Sequence, residues 1–549
     1  MIDLSATASL PSSQVRSDRR SVAWTAAEIM LLLLIMFAYA GDTPPMVNEA
    51  HYLAKAKNFW DPQWCAGDLF VSSAKAHTTF YAFFGCPTQW VSLSTTAWLG
   101  RIVGWALIAT GLQQLCRRVL QRRGFSLVVL LVWIAGIENG NLAGEWVIGG
   151  IEAKVPAYGL ILLGLSAMVA RRWNQVWIYL GGASAFHVLS GGWSVVAAMF
   201  VWLCTEMKSG DRKRFFSWGL LAGGAIALLG LVPALALTFG ATHADSTAAA
   251  KIYTYYRIKH HLLPADFQTA WYIRHALLVA IAVLLAVPFW RRPAGDTQID
   301  SESRRKLRSL AFFALGAVVL ALIGLLIGLL PPYAPDLAAR LLRFYWFRLT
   351  DAAVPLFVAV AVAAWIVDRA IWKKSIGIAL VLIAAVLMGI SMNDRMRLGV
   401  PPSVSNDLLG PQVGTPAAVQ RAVMKDWLAV CRWARLSTLE DEVFLTPRHQ
   451  QTFKWYAQRA EVVNWKDVPQ DAQSLRQWYQ RFLEIYPRYL GYVRVTIRYD
   501  KLREYRERWN VRYMIVDRRI SGENLPLVKL YPNRGEQNAT YAVYELPRP

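Results

Sequence analysis

The feature that most limits what this chain can fold into is a succession of apolar runs, each close to the length a helix needs to cross a bilayer. A hydrocarbon core about 30 Å thick and a helical rise of about 1.5 Å per residue call for about twenty residues per crossing. Runs of this kind recur at 21–40, 96–115, 125–139, 148–170, 176–190, 191–204, 218–240, 269–290, 310–330, 352–367 and 375–392. Only 17% of the 549 residues are charged, too few to keep such runs in water. The pattern predicts a polytopic α-helical membrane protein with about eleven spans.

The formal net charge of +22 would suit a nucleic-acid ligand if the cations formed one basic face. They instead fall in short clusters between apolar runs and in the C-terminal part, with no zinc-ligand spacing, P-loop or helix-turn-helix pattern beside them. Nucleic acid is therefore excluded as a partner. The clusters are Arg117, Arg118, Arg122 and Arg123; Arg171 and Arg172; Lys208, Arg212, Lys213 and Arg214; Arg291, Arg292, Arg304, Arg305, Lys306 and Arg308; and Arg369, Lys373 and Lys374. They occur at every second turn, so all can lie on the cytoplasmic side. Arg16, Arg19 and Arg20 put the N-terminus on that side too. Two readings of the first run remain: an uncleaved anchor, favoured by its length, or a signal peptide cut after the small-x-small stretch Ala38-Tyr39-Ala40.

This organisation divides the chain into a cytoplasmic tail at 1–20, a transmembrane domain at 21–392 with a first extracytoplasmic loop at 41–95, and an extracytoplasmic α/β domain at 393–549. In that last domain the runs 443–445, 462–463 and 513–516 read as strands, and 450–459, 472–486 and 501–509 as helices. Cys65 and Cys86 share the first loop, where a disulfide and two separate thiols are both admissible. Between Arg172 and Lys208 the chain must go out and return in two short legs, and the tip of that hairpin carries His187 with Gly191 and Gly192. Short helices at membrane depth are tolerated where they line a protein-covered cavity.

Residues able to do acid/base work gather on the predicted outer side. Asn48, Glu49, His51 and Tyr52 open an interfacial helix just after the first span, where desolvation can tune a carboxylate toward neutral pH. A solvated acidic helix turn is the plainer reading of the same residues. Glu145, Glu152 and Lys154 lie around the 148–170 run, and ionisable groups at membrane depth are expensive enough to suggest a site or a buried ion pair. Arg340, Arg343 and Arg348 stand among Phe344, Tyr345, Trp346 and Phe347 on the side where arginine is disfavoured. A phosphate would match the guanidinium fork, and an ion pair with Asp351 or the outer domain would also satisfy the charge. His243, His260 and His261, with Arg257 nearby, precede the 269–290 run, but no metal-ligand spacing appears among the histidines.

The stretch Val47-Asn48-Glu49-Ala50-His51-Tyr52, with Glu145 or Glu152 as a second acid, resembles the GT-C superfamily of membrane glycosyltransferases, in its protein O-mannosyltransferase and aminoarabinose-transferase branches. It is also similar to bacterial multi-span membrane proteins carrying an Asn-Glu-Ala-His-Tyr stretch. The resemblance implies an inner-membrane enzyme of inverting type, with the N-terminus in and the C-terminal domain out. Such an enzyme takes a sugar from a polyprenyl-phosphate lipid and gives it to an extracytoplasmic acceptor. It implies Glu49, His51 and Glu152 as catalytic residues, and Asn48, Tyr52, Glu145, Lys154, His187, His260, Arg343 and Arg348 as substrate-binding ones. No cofactor is required by this scheme, and a divalent metal is compatible with it. The departure is Asn48, which stands where the superfamily places its catalytic aspartate; an amide cannot accept a proton, so the base would be Glu49 or His51. An aspartate at this position should then be tolerated. A lipid or solute transporter and a noncatalytic scaffold with a partner-binding outer domain are the alternatives.

Overall fold

The computed structural model describes residues 12–207, 214–290, 301–367, 371–398, 416–448, 450–486, 498–522, 525–533 and 535–548. Of the basic clusters, Lys208, Arg212, Lys213, Arg291, Arg292 and Arg369 lie outside these residues. Each of the predicted apolar runs carries a helix. Seven of those helices are long and apolar enough to cross a membrane, or eight if the pair Leu93–Leu120 and Phe125–Gly140, bent by 115°, is one span. The difference of three from eleven is that bent pair, counted once, and two short helices among the described residues, Lys154–Val169 with 16 residues and Trp173–Phe186 with 14.

Small residues set the packing of these helices. Leu93–Leu120 lies against Lys154–Val169, where a Cβ at Gly104 would stand 2.8 Å from Val155 and one at Gly111 2.7 Å from Leu162. Without a hydrophobic drive between helices in lipid, such close approach supplies the attraction. Phe125–Gly140 packs on Arg348–Val367, and Trp133 Nε1 donates to the Ala352 carbonyl at 3.0 Å. Polar groups inside the bundle are satisfied locally: Glu28, in the first span, accepts from Ser126 Oγ at 2.5 Å and from the Gly124 amide at 3.1 Å.

The C-terminal residues build a mixed five-stranded sheet from β1 (Val443–Leu445), β2 (Ala460–Glu461), β3 (Val511–Asp517), β4 (Val528–Tyr531) and β5 (Tyr541–Glu545), in the order β2-β1-β3-β5-β4. β1 runs parallel to β2 and β3, whereas β5 is antiparallel to β3 and β4. The expected strand at 462–463 is instead the two residues just before it, and β4 and β5 had no sequence counterpart. The expected helix at 450–459 is confined to Phe453–Ala457.

The first loop docks into this unit. Phe70 and Val71 share an apolar core with Val443, Val462, Trp478 and Phe482. At the same contact the buried Lys454 ammonium meets Asp68 at 2.9 Å, Glu461 at 2.7 Å and Asp467 at 2.6 Å. Cys65 and Cys86 are free thiols.

Candidate functional site

The helix Glu49–Trp60 starts directly after the first span and delivers three polar side chains to different places. Glu49 turns into the protein. Its Oε1 accepts from Arg101 Nε at 2.6 Å and the Ile151 amide at 2.7 Å, and its Oε2 from Arg101 Nη2 at 2.5 Å and the Met46 amide at 2.7 Å. Both side chains are fully buried. A carboxylate with every acceptor direction filled by a guanidinium and backbone amides has no lone pair left for an acceptor hydroxyl.

Asn48 points the other way and begins a continuous polar chain. Its Nδ2 donates to Glu152 Oε2 at 2.6 Å. Glu152 Oε1 meets Lys154 Nζ at 3.0 Å, and the same ammonium reaches Glu145 Oε1 at 3.2 Å. Lys154 also lies over the Trp146 ring at 3.9 Å. Glu145 Oε2 lies 2.9 Å from Arg348 Nε, and Arg348 Nη1 lies 2.9 Å from His187 Nε2. His187 stacks on His77 at 5.3 Å and, through Nδ1, accepts from the Ser190 amide, capping the helix Val188–Thr205. Six of the sequence candidates, Asn48, Glu145, Glu152, Lys154, His187 and Arg348, are thus joined in one buried network.

His51 is oriented from the C-terminal unit. Its Nδ1 lies 3.0 Å from Asp467 Oδ1, and because a carboxylate can only accept, the proton sits on Nδ1. Asp467 is itself fixed by Lys454 and by Asn464 Nδ2 at 2.9 Å. Burial pushes Asp467 up, but the Lys454 ammonium and the His51 hydrogen bond outweigh it and hold the carboxyl well below the usual range. Burial lowers the His51 pKa despite Asp467, so the imidazole is neutral near pH 7. Its Nε2 makes no hydrogen bond among the described residues, and Tyr52 stands against its ring at 5.6 Å. This is the arrangement in which a carboxylate fixes the tautomer of a general base. His77, nearby, is pushed down to about 4 by burial.

Two cations near the chain make no ion pair with a carboxylate among the described residues. Arg257 ends a π-helical stretch, Ile252–Arg257; its Nε donates to the Trp465 carbonyl at 2.8 Å and its guanidinium lies 4.7 Å from that ring's centre. The Lys466 ammonium has no hydrogen bond or ion pair among the described residues. Burial, then the charge of Arg257, pushes Lys466 down to about 8, while burial takes Arg257 to about 10. Beside them the Tyr253 and Tyr345 hydroxyls meet at 3.0 Å, and Arg348 covers the Tyr345 ring at 4.1 Å.

Of the remaining candidates, His260 is exposed with its ring 4.1 Å from that of His261, and Arg343 is half-buried with no ion pair among the described residues. Among the described residues no three His, Cys, Asp or Glu side chains converge in a metal-holding group. Arg101, Lys466 and Asp467 carry no role in the sequence reading, and Arg257 figures there only as a neighbour of the histidines at 243–261. Arg101 carried a usable signal, a lone arginine within an apolar run, whereas Asp467 lies 416 residues from its partner. A groove of about 680 Å³ runs beside Leu322, Leu325, Leu326 and Leu329 and is also lined by Phe267 and Tyr272. Phe267 packs at 5.2 Å on Phe347, the neighbour of Arg348.

Residues 425–485, which include Lys454, Glu461, Lys466 and Asp467, match the family described as Domain of unknown function (DUF6798). No curated protein matches the chain. Among solved structures, ArnT from Cupriavidus metallidurans bound to undecaprenyl phosphate is 12% identical, with a TM-score of 0.39 over 96% of this chain and 98% of that one. Apo ArnT from the same organism is 13% identical, with a TM-score of 0.37 and the same coverage.

Proposed function

We propose that this protein is a membrane glycosyltransferase that moves a sugar from a polyprenyl-phosphate lipid to an extracytoplasmic acceptor hydroxyl. The observation that carries the reading is the meeting of three elements: a neutral histidine oriented by a carboxylate, an acid–amide–lysine chain, and two cations without a carboxylate ion pair among the described residues. Each matches one demand of the reaction. His51 Nε2 takes the acceptor proton as the hydroxyl oxygen attacks the anomeric carbon. The bond from that carbon to the phosphate oxygen breaks, and the charge left on the lipid phosphate is met by Arg257 and Lys466, with Arg348 alongside. Asn48, Glu152 and Lys154 hold sugar hydroxyls, Tyr52 and His187 border them, and the groove flanked by Phe267 receives the isoprenoid chain. Glu49 is reassigned here from base to support: with Arg101 it holds the loop that presents Glu152. Arg343 and His260 take peripheral places at the lipid entrance.

The test uses the full-length protein in detergent with a panel of polyprenyl-phosphate sugars and an envelope extract as acceptor, following release of polyprenyl phosphate. Wild type should consume at least one donor, and His51→Ala should lower turnover by about a hundredfold or more. Unchanged turnover in His51→Ala would remove the base. Consumption of no donor, with His51→Ala and Lys466→Ala variants indistinguishable from wild type in cells, would favour a noncatalytic scaffold.

A further inference from the structure

A second polar site lies at the opposite ends of the helices that hold the first. Lys154 opens the helix Lys154–Val169 and His187 follows the helix Trp173–Phe186; the turn joining their far ends holds Arg171 and Arg172. Sixteen residues of helix span about 24 Å, so the two regions are separated by most of a hydrocarbon core. At the far end is a cavity of about 760 Å³ lined by Arg171, Arg172, Trp173, Arg214, Ser217 and Trp218, among others.

The backbone prepares this place for an anion. Trp173–Phe186 and the candidate span Trp218–Ala236 run parallel and in close contact, because a Cβ at Gly219 would run into Asn174 and one at Gly223 into the Trp177 carbonyl. Two positive helix ends are therefore side by side. Neither helix has an acidic residue in its first turn, and neither N-cap side chain, Arg172 or Ser217, caps its helix. Arg171 is matched by Glu206 at 2.6 Å, but Arg172 and Arg214 have no ion pair among the described residues. Two buried donors also have no acceptor among the described residues: the Ser217 hydroxyl, and the indole N–H of Trp173, a residue only 4% exposed. An unmade hydrogen bond at a buried donor costs about 1–3 kcal/mol, which an acceptor brought within reach of these two cavity-lining residues would recover. Around the rim, Phe216 and Trp218 are 83% and 64% exposed, as aromatic side chains are at the level of lipid headgroups.

We propose that this cavity binds the phosphodiester headgroup of an anionic phospholipid. Arg172 and Arg214 face the phosphate, Ser217 Oγ and Trp173 Nε1 donate to its oxygens, and the acyl chains pass over Phe216 and Trp218 into the membrane. The site is independent of the transfer chemistry.

The experiment places full-length protein in nanodiscs of phosphatidylcholine with a minor fraction of phosphatidylglycerol and counts retained lipids by native mass spectrometry. Wild type should retain phosphatidylglycerol well beyond its share. Arg172→Gln and Arg214→Gln should each weaken retention about fivefold, from about 1 kcal/mol per basic residue at the surface, and Ser217→Ala should weaken it without altering either charge. Both arginines extend into solvent, so these variants should fold, which elution volume and thermal transition check. A second arm titrates inorganic phosphate into phosphatidylcholine nanodiscs while tryptophan fluorescence is followed. Phosphate binding that depends on Arg172 and Arg214, without enrichment of phosphatidylglycerol, would overturn the lipid assignment in favour of a soluble anion. Equal retention by wild type and the Arg172→Gln, Arg214→Gln double variant would overturn the site altogether.

Discussion

Glu49 and Arg101 form a two-point ion pair at 2.6 and 2.5 Å with no exposure on either side chain, and backbone amides of Met46 and Ile151 complete the carboxylate's coordination. The pair pins the first loop to the turn before Glu152. Removing one partner leaves an uncompensated buried charge, which costs about 3–5 kcal/mol. Glu49→Gln should therefore lower the thermal transition of the detergent-solubilised protein by several degrees. Its remaining folded fraction should keep measurable turnover. A variant that is fully stable but inactive would return the role of base to Glu49.

Asn48 donates to Glu152 Oε2 at 2.6 Å, so an aspartate there would bring two carboxylates together at hydrogen-bond distance. One of them must hold a proton for the contact to survive. The expectation from family resemblance, that Asn48→Asp is tolerated, is thereby reversed near neutral pH. The variant should be less stable than wild type at pH 8 and recover most of the difference at pH 5.5, where a shared proton replaces the amide hydrogen. Equal transitions at the two pH values, measured relative to wild type, would refute this account.

The legible part of the architecture was the part governed by local hydropathy. Every long apolar run became a helix, but whether a run of 14 to 16 residues crosses the membrane depends on its neighbours. Glu145, Glu152, Lys154, His187 and Arg348 could be singled out because polar groups at that depth are costly, and the structure connects them. Arg101 offered the same signal and was passed over. Lys466 and Asp467 offered none, since in sequence they are ordinary loop charges. Their environment arises from docking a C-terminal unit onto the first loop, which no local pattern encodes. β4 is a short edge strand with exposed Val528 and Lys529, so its alternation is weak, whereas β5 is an inner strand buried at Tyr541–Tyr544 and shows no alternation at all.

The two cations without carboxylate ion pairs among the described residues should govern donor affinity as well as turnover. Arg257→Ala and Lys466→Ala should each raise KM for the polyprenyl-phosphate sugar by about tenfold or more, in line with about 1.5–3 kcal/mol for a hydrogen bond to a charged group. Arg257→Lys should recover only part of this, because it loses both the fork and the stacking on Trp465. Arg343→Ala, which breaks no ion pair, should change KM by less than twofold. Steady-state kinetics on the four variants would decide, and an Arg343 effect larger than that of Lys466 would move the phosphate to the lipid-facing side.

The pH dependence of kcat/KM joins the base to the anion site. Burial lowers the His51 pKa, so loss of the base through protonation should produce an acid limb with a midpoint below 6.5. Lys466 is pushed down to about 8, so raising the pH through that value removes a positive charge from the free enzyme and weakens donor capture. The profile should be a bell between these limits, because kcat/KM reports the free enzyme. Lys466→Arg should leave the acid limb in place and carry the alkaline limb beyond pH 9, since a guanidinium stays charged there. Asp467→Asn should lower activity across the whole range, because the amide can no longer fix the Nδ1–H tautomer. If Lys466→Arg leaves the alkaline limb near pH 8, another group titrates there and Lys466 does not hold the phosphate.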